Sequence, residues 1–207
     1  LIIGDRYEAL SAAVAAAYSN IRIAHIQGGE VSGSIDESAR HAITKFSHIH
    51  FPATELAKER LIRMGENPEY VIYSGCPSKE LINSEKNRFI PEKELIGVGN
   101  KINLDKDFVL VSYHPTTTQE SDIDEKNIRL LLQALEVKKM QCIWLWPNID
   151  AGADQISKQL RLFRETNNDA DSWLTLIKNV KPEVYIWLMA KSKCLIGNSS
   201  SFVRDSG

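Results

Sequence analysis

The 207 residues include 25 basic and 27 acidic side chains for a formal charge of −2, and 43% are hydrophobic, enough for one large domain or two small ones. No block of one charge sign occurs, so the chain carries no electrostatic footprint for nucleic acid or a membrane surface, and no run approaches the roughly 18 to 20 apolar residues of a membrane span. Cys76, Cys142 and Cys194 are widely spaced and form no C-x-x-C pair, which argues against a disulfide framework and a zinc site and fits a reduced cytoplasm.

Leu1 to Ile3 reads as the end of a buried strand with no charged-then-apolar leader before it, and the sequence stops shortly after Gly197. A fragment cut at both ends is therefore expected. Gly4-Asp5-Arg6 forms a turn, Glu8 to Tyr18 an alanine-rich helix, and Ile21 to Ile26 a strand. The strand breaks at Gly28-Gly29 and crosses a polar loop containing Gly33. It enters a helix at Ser34 that runs to about Phe46; Ser34 with Glu37 three residues later is a capping-box signature. Asp36 falls in the first helical turn, and Arg40 follows one turn later on the same face.

Ile49 to Phe51 is a short strand, and Thr54 caps a charged helix that ends near Met64-Gly65. Val71 to Tyr73 is the next strand, and Gly75-Cys76-Pro77 turns it toward a helical piece near Glu80 to Ile82. From Asn83 to Asp107 the pattern degrades into a polar stretch containing Pro91, Gly97 and Gly99, so a domain boundary is expected there: residues 1–99 in one domain, 100–207 in the other.

The rhythm then restarts with strand Phe108 to Tyr113, loop His114 to Thr118, helix Asp124 to Lys138, strand Cys142 to Trp146, loop Pro147 to Gly152 and helix Asp154 to Arg164. Strand Leu174 to Ile177, helix Glu183 to Ala190 and strand Cys194 to Ile196 follow. Alternating strands and helices of these lengths imply parallel sheets with right-handed crossovers, and ligands in such folds sit where strands end and helices begin.

Several loops could carry chemistry. Gly197-Asn198-Ser199-Ser200-Ser201 offers small donors between a strand and an expected helix; it reads as a phosphate cradle or as a serine-rich turn. Asp5-Arg6 is a base beside a cation, or a surface ion pair in a turn. His114 stands just past a buried strand, where an imidazole serves a phosphate, a proton transfer or the structure alone. His48 and His50 lack a completing ligand set, so no metal is expected, and Trp144 and Trp146 read as packing residues.

Taken in order along nearly the whole chain, Gly4-Asp-Arg-Tyr-Glu8, the segment His25 to Lys45, Gly75-Cys-Pro-Ser78, His114-Pro115, Pro147-Asn-Ile-Asp-Ala-Gly152 and Gly197-Asn-Ser-Ser200 closely resemble the hydrolysing UDP-N-acetylglucosamine 2-epimerases of sialic acid biosynthesis. The resemblance implies an α/β fold of GT-B type: two Rossmann-like domains with parallel sheets and an interdomain nucleotide-sugar cleft. It also implies elimination of UDP from C1 with loss of the C2 proton, then addition of water to release N-acetylmannosamine.

By position in the family motifs, Asp5 and Asp36 look like the acid/base carboxylates, and His114 like the group that supports the leaving phosphate. Arg6, Ser199 and Ser200 look like diphosphate ligands, Asp205 like the ribose-holding acid, and Asn148 lies in the loop facing the nucleotide sugar. Gln27 stands where many members have a catalytic glutamate. Glutamine cannot act as an acid, so Gln27 orients substrate in this reading while Asp5, Asp36 or Glu30 moves the proton. Phe202 replaces a usual glycine, and Asp205 a usual glutamate. The resemblance implies no cofactor and no metal, a homodimer or homotetramer, and a cytoplasmic enzyme. The rival readings are a nucleotide-sugar-binding module without turnover, a GT-B glycosyltransferase, and an epimerase for 2,4-diacetamido-trideoxyhexose nucleotides.

Overall fold

The computed structural model describes residues 1–33, 35–85, 95–115, 121–147 and 152–204. Ser34, Asn148 and Asp205, all singled out from sequence, lie outside the described residues. The chain divides into two compact units, Leu1–Glu80 and Leu81–Gly207.

The first unit runs β1 (Ile2–Ile3), α1 (Tyr7–Tyr18), β2 (Ala24–Ile26), α2 (Ile35–Phe46), β3 (Ile49–Phe51) and α3 (Glu55–Arg63). Its three strands lie in the order β1-β2-β3 and pair in parallel, with Ile2 opposite His25 and His25 opposite His50. Ala13, Ile23 and Ile43 are its buried core, with Leu10, Ala17 and Phe46 packed around them, so α1 and α2 close over the sheet.

Two expected strands shrink in this unit. Ile23 does not pair as a strand residue, because its N–H goes to His48 Nδ1 at 3.3 Å while its carbonyl accepts the His48 N–H at 2.8 Å. Val71 to Tyr73 reduces to a single parallel bridge from Val71 to His50, extended by the Ile72 N–H to the His50 carbonyl. Helix α3 is capped as expected: Thr54 Oγ1 accepts the Ala57 N–H at 3.1 Å, and Gly65 takes a left-handed φ of 92° just past the end.

Helix α4 (Pro77–Glu85) follows, with proline at its first position, where a missing N–H costs nothing. The division between the units falls within it, ahead of the boundary at residue 99 expected from composition. Leu81 and Ile82 pack with the second unit's core, as do Leu95 and Ile102, and Val98–Gly99 forms β4, which pairs antiparallel with a later strand of that unit. The polar stretch hid these apolar anchors.

The second unit continues with β5 (Phe108–Ser112), α5 (Ser121–Lys138), β6 (Gln141–Leu145), α6 (Ala153–Thr166), β7 (Leu174–Ile177), α7 (Pro182–Lys191), β8 (Cys194–Gly197) and α8 (Ser201–Arg204). The strand order is β4-β7-β6-β5-β8, with every pairing parallel except that of β4. Side chains of a strand alternate between faces, and both faces here are covered. Phe108, Leu110 and Ile143 enter one core with Val184 and Leu188 of α7; Val109, Val111 and Trp144 enter the other with Ile128, Leu132, Ile156 and Leu160 of α5 and α6.

After β5 the chain moves outward through β6 and β7, then crosses back to lay β8 on the other side of β5. The C-terminal ends of β5 and β8 therefore flank the topological switch point, where open α/β sheets leave a crevice for ligands. Among the described residues, no helix is long and apolar enough to cross a membrane.

Candidate active site

In the first unit the polar loop after β2 is pressed tightly onto its neighbours. Gln27 holds a left-handed φ of 63° while its N–H bonds the Phe51 carbonyl at 2.9 Å. That conformation costs a residue with a Cβ on the order of 1 kcal/mol and persists only where the surroundings impose it. A Cβ on Gly29 would lie 2.4 Å from the Ala57 carbonyl oxygen at the start of α3, so only glycine fits there. Arg60 Nη1 then donates to the Gly29 carbonyl at 2.5 Å. Gln27 is 8% exposed, and its Nε2 donates to Cys76 Sγ at 3.3 Å.

Arg40 organises the same loop from below. It is 4% exposed and reaches Asp5 at the end of β1 through both Nε and Nη2, each bonding Oδ2. Nη1 donates to the Glu30 carbonyl at 2.7 Å and Nη2 to Ser32 Oγ at 3.2 Å. A buried guanidinium needs a counter-charge and filled donors; Asp5 and the loop supply them. Glu37 ties the far end: its Oε2 accepts the Ser32 and Gly33 N–H groups at 2.7 and 2.8 Å, and these bonds hold its carboxyl below the usual range. Asp36 is exposed in the first turn of α2, and Glu30 is partly exposed.

His25, in β2, is fully buried. Its Nε2 lies 2.9 Å from the Gly4 carbonyl, which can only accept, so Nε2 carries the proton and Nδ1 accepts from Thr44 Oγ1 at 3.3 Å. Burial pulls its pKa down, with the Gly4 bond opposing. The imidazole thus ties the turn before Asp5 to helix α2. Arg6 is not Asp5's partner: its Nε donates to Glu8 at 3.3 Å, and its guanidinium lies 5.9 Å from the centre of the Tyr7 ring. His48 and His50 have structural roles, His48 toward Ile23 and His50 toward Glu66 at 3.1 Å.

In the second unit the loops after β5 and β8 meet at the switch point. Asn198 clasps the backbone of His114 on both sides: Oδ1 accepts its N–H and Nδ2 donates to its carbonyl, each at 2.8 Å. Ser112 Oγ stands 3.2 Å from His114 Nε2. Gly197 lets β8 approach, since a Cβ there would lie 1.9 Å from the Ser112 carbonyl oxygen. Beyond it, Ser199 Oγ lies 2.7 Å from Ser201 Oγ, which also bonds the Tyr185 hydroxyl. Ser200 is exposed. Phe202 is partly buried and packs against the core of the second unit.

The structure therefore joins Asp5, the Glu30 backbone and Arg40 in the first unit, and His114 with the loop bearing Ser199 in the second. Sequence reasoning missed Arg40 as the partner of Asp5, and it missed Ser112 and Tyr185; Asn198 and Cys76 stood in motifs it had singled out, without the partners the structure gives them. One signal was present: Arg40 shares a helix face with Ile43 and Thr44, both buried, and an arginine on a buried face demands an acid. Nothing local marked Tyr185, whose hydroxyl partner lies 16 positions away.

These features define an α/β protein of GT-B type with parallel sheets, its candidate groups on loops at strand ends. The family model for UDP-N-acetylglucosamine 2-epimerase matches residues 1–205, and the chain belongs to that family. It is 37% identical over 206 residues to the UDP-N,N'-diacetylbacillosamine 2-epimerase (hydrolyzing) of Legionella pneumophila, covering 100% of this chain and 52% of that protein. It is 32% identical over 207 residues to the UDP-N-acetylglucosamine 2-epimerase of Neisseria meningitidis, with coverages of 100% and 52%. The chain spans about half the length of the curated relatives it matches. Among solved structures, the Methanocaldococcus jannaschii UDP-GlcNAc 2-epimerase in complex with UDP-GlcNAc and UDP superimposes with a TM-score of 0.72 at 16% identity, over 98% of this chain and 55% of that one.

Proposed function

We propose that the complete protein is a cytoplasmic hydrolysing 2-epimerase, a homodimer or homotetramer, that converts UDP-N-acetylglucosamine and water to N-acetylmannosamine and UDP for synthesis of sialic acid or a related nonulosonate. The observation that carries this reading is the Asp5–Arg40 pair. Both Arg40 bonds fall on Oδ2, which leaves the Oδ1 lone pairs available to a substrate proton while the carboxylate stays fixed in direction.

In this reading one carboxylate, Asp5, Asp36 or Glu30, takes the C2 proton. The C1–O bond breaks and its electron pair leaves on the UDP phosphate, forming a C1–C2 double bond. Water then adds its oxygen at C1, and a proton is delivered to C2 from the opposite face. Arg6, His114, Ser199 and Ser200 stabilise the departing diphosphate, and Asn148 and Asp205 hold the nucleotide. Gln27 cannot exchange a proton as an acid, and its amide already donates to Cys76, so it orients substrate beside Glu30. The chemistry requires no cofactor or metal.

A second substrate is favoured by one observation: the relative at 37% identity is named for UDP-N,N'-diacetylbacillosamine. The loops that carry the chemistry serve either sugar. Incubating the complete protein with each nucleotide sugar in D₂O separates the readings by NMR. Free N-acetylmannosamine deuterated at C2, with UDP, is the expected result. Turnover of the diacetamido sugar alone shifts the substrate, and binding without product replaces the enzyme with a binding module.

A further inference from the structure

We infer that Cys76 is a positioning residue for Gln27, its sulfur fixing the plane of the amide that meets the sugar. The inference rests on the reading that Gln27 orients the substrate of the 2-epimerase reaction.

Both residues lie in the first unit. The backbone at Gln27 is held on both sides. Its own N–H bonds the Phe51 carbonyl at a left-handed φ of 63°. Gly28 after it is seated so closely that a Cβ would lie 2.9 Å from His25 Nδ1 and 3.1 Å from Thr44 Oγ1. What the backbone leaves open is the rotation of the glutamine side chain.

The sulfur supplies that constraint. Gln27 Nε2 lies 3.3 Å from Cys76 Sγ, and an amide nitrogen donates but does not accept, so the bond runs from nitrogen to sulfur. One Nε2 proton goes to the thiol, and the bond sets the plane in which the second Nε2 proton and Oε1 lie. Cys76 is itself on a stiff turn: Gly75 before it holds a left-handed φ of 77°, and Pro77 after it opens α4 and steers Cys76 away from helical backbone. An amide offers a sugar a donor and an acceptor in one plane, so the plane decides which sugar groups it can reach. A thiol sulfur is a weak acceptor, which makes the bond a guide for the side chain more than a support for the fold.

Steady-state turnover of UDP-N-acetylglucosamine or UDP-N,N'-diacetylbacillosamine by the complete protein, together with titration calorimetry of UDP, tests this role. Cys76→Ala removes the sulfur, and kcat is expected to fall roughly three- to tenfold with UDP affinity and melting temperature unchanged, since Gln27 is not among the groups that hold UDP. Cys76→Ser keeps an acceptor on the same turn and is expected to recover part of the loss. Cys76→Ala combined with Gln27→Ala is expected to be no slower than Gln27→Ala alone. In NMR spectra of protein carrying isotope-labelled glutamine, the side-chain amide signals absent from Gln27→Ala are expected to move in Cys76→Ala. Wild-type kcat in Cys76→Ala overturns the role, and so do losses that add in the double variant or Gln27 amide signals that stay in place. A parallel fall in UDP affinity and melting temperature would make Cys76 a support of the turn alone and overturns the role as well. Wild-type turnover by Gln27→Ala removes the role and leaves the proposed function standing, while a wild-type protein that turns over neither sugar removes both.

Discussion

In the first unit the loop after β2 is gathered around a buried guanidinium, with Arg40 reaching Asp5, Glu30 and Ser32 at once, whereas in the second unit the loop after β8 is held by neutral groups: the Asn198 amide on His114 and the serine hydroxyls on Tyr185. A charge fixes several partners strongly, but it leaves a large debt when one of them is removed. Neutral bonds hold less each and fail more gently. What the two units share is glycine at the tightest backbone approach, Gly29 against Ala57 and Gly197 against Ser112.

That shared feature gives the largest expected effect. Gly197→Ala sets a Cβ 1.9 Å from a strand carbonyl that cannot turn away, at a φ of 148° that suits glycine. The second unit should lose about 4 kcal/mol or more, read as a drop in the denaturation midpoint. A midpoint within experimental error of wild type would mean that β8 shifts freely against β5.

The next contrast separates charge from neutral bonding. Asp5→Asn leaves Arg40 buried without its acid and is expected to cost about 3 kcal/mol. Asn198→Ala removes two hydrogen bonds from a partly exposed backbone and is expected to cost about 1 to 2 kcal/mol. Chemical denaturation of the two variants checks the ranking. Equal losses would show that solvent relieves Arg40 as easily as it relieves His114.

The smallest effect is one of pH, and it has opposite signs in the two units. His25 and His50 are 0% and 2% exposed, and burial lowers the pKa of each, opposed at His50 by Glu66. The unfolded chain binds these protons first, so their contribution to first-unit stability is present above an unfolded pKa of about 6.5 and is lost as pH falls below it. In the second unit, burial pushes the Cys142 thiol and the Tyr113 phenol upward. A raised acid stays neutral in the fold while the unfolded thiol ionises, so that contribution is present at neutral pH and is lost as pH rises past about 8.5. Hydrogen exchange, corrected for the intrinsic pH dependence of amides, should show the first unit loosening on the acid side and the second on the alkaline side.

Much of this molecule is local enough to read along the chain. The continuous apolar run from Phe108 fits a strand buried on both faces, Thr54 and Gly65 bracket α3, and Gly28-Gly29 and Gly197 mark places where the backbone must come close. These follow from sequence because each depends on neighbours within a few residues. Strand lengths were read less well: Ile21 to Ile23 and Val71 to Tyr73 are apolar enough for strands, but strand status requires a paired backbone, and side chains or a single bridge took those partners instead.

The candidate site divides in the same way. Its loops were legible as glycine- and serine-rich breaks after strands, and Asp5, His114 and Ser199 could be named from their motifs. That Asp5 is gripped by Arg40, 35 positions on, and that His114 is clasped by Asn198, 84 positions on, was decided by the tertiary structure. Such pairs depend on strand order, on β1 lying beside β2 and on β8 returning to the far side of β5. Sequence spacing carries no information about that order, because chain closure over tens of residues is nearly indifferent to length, whereas the packing that selects one order acts only once the sheet has formed.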